Sequence, residues 1–274
     1  MTELAELPRL LLGTLVLRPY VFGFLALHAA GASALLGWRR TIGFTLVTWA
    51  VALAAEHSSI RTGIPFGWYH YLPRTAGQEL WVAGVPFFDS LSFSFLMVAS
   101  YGLAWVLLAG PGAAGRQGGR PARLPRPGRG RHLLLAAALM VLIDVLIDPV
   151  ALRGDRWFLG QIYGYPEPGL YFGVPVANFV GWGVVGLAAT ALYHAWERRC
   201  APLVEVRLSG RGALCPGLYL LVALFNLTIA AALGEWRLLA CGVVWMLPIL
   251  GWVAVAIWGL RVRLWRPGAE GTWA

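Results

Sequence analysis

The stretch FFDSLSFSFLMVASYGLAWVLLA, residues 87–109, runs for 23 residues with Asp89 as its one charged side chain. About 20 consecutive apolar residues in an α-helix cross the hydrocarbon core of a bilayer. Six further apolar blocks lie around it, at 20–38, 41–56, 132–150, 171–196, 214–233 and 238–260. The 41–56 block is short for a span. Only 13% of the 274 residues are charged, against about 25% in an ordinary soluble domain, and 58% are hydrophobic. So few charges do not cover a soluble surface. The expected fold is an all-α, polytopic integral membrane helical bundle with about seven transmembrane helices, forming a single membrane domain over 1–274.

The formal net charge is +9, and all 22 basic residues are arginine. A soluble chain this basic would point to nucleic acid. Here the arginines sit between apolar blocks, where their excess marks the cytoplasmic side. Fifteen follow the first, third, fifth and seventh blocks and seven lie on the opposite side. This asymmetry predicts an N-terminus outside and a C-terminus in the cytoplasm. The segment 110–131, rich in Gly, Pro and Arg, reads as a flexible cytoplasmic linker. Residues 1–19 carry Glu3 and Glu6 where a signal peptide would be basic, and read as a retained interfacial segment. Arginine in place of lysine, with much Ala, Gly and Pro, suggests a GC-rich genome. The expected location is the cell (inner) membrane of a bacterium or archaeon.

The polar residues gather on one side of this topology. Glu56 closes the second block, Asp89 opens the third, and Asp144 and Asp148 lie near the end of the fourth. Spaced four apart, Asp144 and Asp148 share a helix face. Asn178 sits two turns into the fifth block. Ionisable groups inside a membrane are costly and face a cavity or a partner. Asp148 precedes Pro149 and has a second reading as a helix-end cap. Three related phrases, TGIPFGWY (62–69), AGVPFFDS (83–90) and YFGVPVANF (171–179), stand at helix ends on that same side. Each breaks a helix with glycine and proline, which a membrane tolerates where protein or a cavity satisfies the freed backbone. They read as three walls of one pocket. Trp68, Tyr69, Tyr71 and Trp81 have the alternative reading of an interfacial aromatic belt.

Cys200, Cys215 and Cys241 form no CxxC pair and read as packing residues. His28 and His194 read as packing or hydrogen-bonding residues. No HxxxH, HxxHH or DDxxD pattern appears, and no glycine-rich nucleotide loop follows a strand. No metal and no cofactor is expected.

The segments EHSSIRTGIPFGWYHY (56–71), GVPFF (84–88), DVLIDPVA (144–151) followed by RW, and YFGVPVANFVGW (171–182) resemble the membrane carotenoid biosynthesis proteins. That family includes hydratases of acyclic carotenoids, among them the bacterioruberin-pathway type. The resemblance runs from about residue 20 to 260. It implies a membrane enzyme that adds water across the terminal double bond of an acyclic carotenoid without a redox cofactor. After Pro86 the chain departs from the family's aliphatic run, so the resemblance assigns no role to Asp89.

The residue types fit that chemistry independently. Hydration of a trisubstituted alkene needs an acid, a stabilised tertiary cation and a positioned water. An apolar site favours the protonated form of a carboxyl group. Aromatic faces stabilise a cation by up to about 2 kcal/mol each when desolvated. The candidate catalytic residues are Glu56, Asp144, Asp148 and Asn178. His57, Phe66, Trp68, Tyr69, Tyr71, Tyr171, Phe172 and Trp182 are the candidate substrate contacts. The expected partners are an acyclic carotenoid, water and membrane lipid. End-group cyclisation or isomerisation starts from the same protonated alkene and remains the enzyme alternative. A proton-coupled carrier would show polar groups along both halves of its path or inverted repeats, and neither is seen.

The arginine asymmetry has a direct test. Topology reporters fused near Gly118 and near Gly77 are expected to report opposite sides. The same side from both would remove residues 87–109 as a membrane span.

Overall fold

The computed structural model describes residues 2–109, 116–117, 120–121, 129–200 and 210–264. Most of the arginine-rich segment 110–131 therefore lies outside the described residues. Among the described residues eight α-helices follow in order: α1 Thr2–Leu17, α2 Pro19–Leu36, α3 Trp38–Thr62, α4 Phe87–Ala109, α5 Arg129–Ala151, α6 Val176–Cys200, α7 Leu214–Ala232 and α8 Trp236–Leu264. Among the described residues six helices, α2 and α4 to α8, are long and apolar enough to cross a membrane. The expected span at 41–56 belongs to α3, which has the length of one. Arg39, Arg40, Glu56 and Arg61 keep it less apolar than the other six.

Helix α4 is the central post, packed against α2, α3, α5 and α7. Its apolar window is 83% buried, against 22% for α8 at the periphery. The difference does not follow apolarity, since the α8 window is the more apolar of the two. Lipid is as apolar as leucine, so helices in a bilayer associate through close packing and hydrogen bonds. Ser90, Ser94 and Ser100 of α4 are fully buried, and Ser94 donates to the Thr45 carbonyl of α3 at 3.2 Å. Gly31 of α2 meets the backbone of α7, where an added Cβ would stand 2.6 Å from the Cys215 nitrogen. Cys215 is buried and free, and its thiol donates to the Val98 carbonyl at 3.3 Å, a packing role as expected.

Helix boundaries differ from the sequence expectation where local capping decides them. α3 does not stop at Glu56 but runs to Thr62. Thr62 bonds back to the Ser58 carbonyl, and Gly63, at φ +75°, caps the end. Glu56 is thus nearly two turns inside the helix. Residues 171–175 are not helical: Tyr171 pairs with Val174 in a tight turn, and α6 starts at Val176. α5 continues through Pro149 to Ala151, so Asp148 lies within the helix.

Helices alternate in direction, so the α1–α2 junction, loops 63–86 and 152–175, and the α7–α8 turn meet at one end. A buried ion pair joins them. Arg18 donates to both carboxylate oxygens of Glu79, from Nε at 3.2 Å and from Nη2 at 3.0 Å. It also donates to the Leu159 carbonyl, and its guanidinium lies 4.4 Å from the centre of the Phe88 ring. Helix α1 completes this clamp: Thr14 accepts the Leu80 N–H at 2.9 Å, and Arg9 donates to the Gly77 carbonyl at 3.0 Å. Arg153 and Arg156 both bond Glu235, which ties loop 152–175 to the α7–α8 turn. The Arg153 hydrogen bond is the main cause that lowers the Glu235 pKa.

Removal of one member of a buried ion pair costs about 3–5 kcal/mol, whereas replacing both by apolar groups is often neutral. Glu79→Ala is therefore expected to lower the melting temperature in detergent more than the double change Arg18→Met, Glu79→Leu. Equal losses would show that the pair contributes no more than packing.

Candidate active site

A cavity of about 140 Å³ opens at this end of the bundle. Helices α2 to α7 all contribute to its wall, through residues such as Tyr20, Glu56, Asp89, Asp148, Asn178 and Asn226. The two long loops add Phe66, Tyr69, Tyr71, Trp157, Tyr163 and Tyr165. Each of the three glycine–proline phrases supplies part of the wall: Phe66 and Tyr69 from the first, Phe88 and Asp89 from the second, Asn178 from the third.

Local backbone chemistry sets Phe66 in place. The chain leaves α3 at Gly63, passes the cis peptide Ile64–Pro65, and the Phe66 N–H donates to Ser59 Oγ at 3.0 Å. The loop backbone then lies against α6 at Gly181, where a Cβ would stand 2.8 Å from the Phe66 Cα. Phe66 contacts the Trp182 ring, which stacks on Phe93 with centroids 5.4 Å apart. An aromatic wall results, with the carboxyl groups beside it.

Those carboxyl groups differ in their partners. Asp148 accepts from Tyr163 at 2.9 Å, from Tyr165 at 3.0 Å and from Asn178 Nδ2 at 2.6 Å. The same Asn178 Nδ2 donates to Asp144 at 2.8 Å, so one amide bridges two acids four residues apart on α5. Asp89 accepts from Tyr71 at 2.6 Å. Glu56 is 9% exposed, and its Oε2 is buried without a hydrogen-bond partner. Such orphan buried oxygens are uncommon, and active sites are one place where they persist.

Loops 63–86 and 152–175 meet through a two-stranded ribbon, in which His70 pairs with Gly164 and Tyr71 with Tyr163. Alternate residues of a strand share a face. Tyr69, Tyr71, Tyr163 and Tyr165 accordingly line the cavity, while His70 is exposed. Burial raises the pKa of all four phenols; the next cause is Asp148 for Tyr163 and Tyr165, Asp89 for Tyr71 and Glu56 for Tyr69. All four therefore stay protonated as donors at neutral pH.

Of the residues expected from sequence, Glu56, Asp148, Asn178, Phe66, Tyr69, Tyr71 and Trp182 share this cavity. Asp144 stands behind it, bonded to Asn178. His57, Trp68, Tyr171 and Phe172 do not line it. His57 bonds the Ala83 carbonyl at 2.8 Å, and Trp68 is 58% exposed. Tyr171 and Phe172 pack edge to face on each other, and Arg153 lies over Phe172 at 5.9 Å. Tyr163 and Tyr165 were not anticipated, although YGY at 163–165 repeats the alternation of YHY at 69–71. Asp89, left without a role by the resemblance, is in the wall. Asn226 gave no sequence signal beyond a polar residue in an apolar helix. Among the described residues, no group of three or more His, Cys, Asp and Glu side chains is arranged to hold a metal ion.

Comparison with known proteins places this architecture. The model of the family described as "Carotenoid biosynthesis protein" matches residues 10–249. A bisanhydrobacterioruberin hydratase of Haloarcula japonica is 28% identical over 187 residues, which is 67% of this chain and 52% of the hydratase. The chain thus spans about half the length of that curated relative. No solved structure matches. The match over residues 10–249 covers most of the chain, including every helix that lines the cavity, and the chain belongs to the carotenoid biosynthesis protein family.

Proposed function

We propose that the protein is a hydratase that adds water across the terminal double bond of an acyclic carotenoid end group. The observation that carries this reading is the pairing within one cavity of a buried carboxyl with an unpartnered oxygen, Glu56, and a carboxyl that accepts three hydrogen bonds, Asp148. An alkene hydration needs one group to give a proton and another to take one. In this reading Glu56, as the protonated acid, transfers its proton to the less substituted alkene carbon. The new C–H bond uses the π electrons and leaves a tertiary cation. Phe66, Tyr69 and Trp182 face that cation in a desolvated site. A water held by Asn178 and Asp148 attacks the cation, and its proton passes to the Asp148 carboxylate as the C–O bond forms. Asp144 fixes the Asn178 amide and so the direction of attack. The name of the similar hydratase supports the same reaction class.

The test is expression in cells that make lycopene, with pigments analysed by mass. A gain of one water per modified end is expected. An unchanged mass with a cyclic end-group spectrum would replace hydration by cyclisation.

Site variants refine the assignment. Glu56→Gln and Asp148→Asn are each expected to lower hydrated product about 10²–10⁴-fold, with protein still in the membrane fraction. Asp144→Asn and Asn178→Ala are expected to lose less, since they act on the water's position. Near-normal hydration by Glu56→Gln and Asp148→Asn together would make the carboxyl cluster structural.

A further inference from the structure

Hydration as assigned above leaves the two acids in exchanged states. Glu56 ends without its proton and Asp148 ends with one. The cycle closes when one proton returns from Asp148 to Glu56. Glu56 Oε2 is buried without a hydrogen-bond partner and Glu56 lines the cavity, so the groups of the cavity are the near source of that proton.

The tyrosine ribbon lies between the two acids' surroundings. From the strand Tyr163–Gly164 and the residue after it, Tyr163 and Tyr165 donate two hydrogen bonds to Asp148. From the strand His70–Tyr71, Tyr71 donates to Asp89 at 2.6 Å, and the Oη of Tyr69, just before the strand, stands 3.5 Å from Tyr71 Oη. The ring of Tyr69 contacts those of Tyr163 and Tyr165, at centroid distances of 6.1 and 6.3 Å. All four phenols and Asp89 open on the same cavity, which has room for bridging water. Four hydroxyls on one face of a two-stranded ribbon exceed what packing requires, since phenylalanine packs as well.

We propose that this ribbon and Asp89 form the proton return path, an inference that rests on the hydratase reading. The proton on Asp148 passes to the oxygen of Tyr163 or Tyr165 as that phenol gives up its own. The transfer continues through cavity water to Tyr69 and Tyr71, reaches Asp89, and ends on the Glu56 carboxylate. Each phenol takes one proton as it releases one, so no phenolate accumulates. One proton leaves Asp148, one arrives at Glu56, and no oxidant or metal is required. Asp89, Tyr71, Tyr163 and Tyr165 act in this path as relay residues, while Tyr69 both faces the cation and carries the proton.

The kinetic signature separates this role from a structural one. The first cycle begins with Glu56 already protonated, so only later cycles need the path. Membranes containing wild type, Tyr71→Phe, Asp89→Asn or Tyr163→Phe would be assayed twice with lycopene. One assay keeps enzyme in excess of carotenoid and reads the first turnover. The other keeps carotenoid in excess and reads repeated turnover. Each variant is expected to slow repeated turnover at least tenfold more than the first turnover. Its solvent deuterium isotope effect on repeated turnover is expected to exceed that of wild type. Equal slowing of both rates in the three variants would overturn the relay and assign these groups to packing or chemistry. No slowing of either rate would overturn it too, leaving direct reloading by cavity water. Wild-type membranes that add no water to the carotenoid would overturn the hydratase reading itself, before any variant is made.

Discussion

A carboxyl group buried in a helical bundle needs donors, and the geometry of this protein's cavity end follows from where they come. Asp148 receives three, and no two come from adjacent residues: Tyr163, Tyr165 and Asn178. An unpaired buried polar group costs about 1–3 kcal/mol, more if charged, so the cluster constrains its surroundings strongly. To reach Asp148 from Tyr163 and Tyr165, loop 152–175 must fold back over α5. That fold brings its strand beside residues 70–71, and the second loop is recruited by backbone pairing. Asn178 in turn fixes the rotation of α6 against α5.

The Arg18–Glu79 pair closes the same end from the other side. It lies outside the cavity's carboxyl cluster but touches its frame, through the Leu159 carbonyl and the Phe88 ring. Leu159 and Phe88 both line the cavity. A residue in the α1–α2 connection thus contacts two residues of the wall of a site built mainly by α3 to α6.

Much of this was legible in the sequence because bilayers impose strong patterns. Long apolar blocks gave the helices, and the rarity of membrane carboxylates made Glu56, Asp144 and Asp148 conspicuous. The glycine–proline phrases marked walls because they interrupt helices that otherwise have no reason to stop. Other features were hidden for identifiable reasons. Glu79 lies in a polar loop, where a carboxylate attracts no notice, yet it is 1% exposed. The end of α3 was misplaced because Ser58, Ser59 and Thr62 look like turn residues, whereas the hydroxyl of Thr62 bonds back along the helix. His57, Trp68, Tyr171 and Phe172 sit in the recognised phrases but face other surfaces or bond elsewhere. Proximity in sequence gave no sign of direction. The YGY at 163–165 acquires meaning only once its pairing with 70–71 is known.

The contrast between Glu56 and Asp148 is the last consequence of this arrangement. Both are buried carboxyl groups at the same end of the bundle, and each arrives on a helix that gives it no capping role. Asp148 stands where two loops and α6 converge, so donors surround it. Glu56 projects from α3 beside the aromatic wall of Phe66 and Trp182, where no such donor is supplied, and one oxygen stays bare. Environment alone therefore distinguishes two chemically similar side chains. In the reaction proposed above, the carboxyl rich in donors takes the acceptor's part and the bare one the donor's. A single bundle end thus gives two carboxyl groups unequal access to donors, and it is on this difference in surroundings that the proposed separation of acid from base rests.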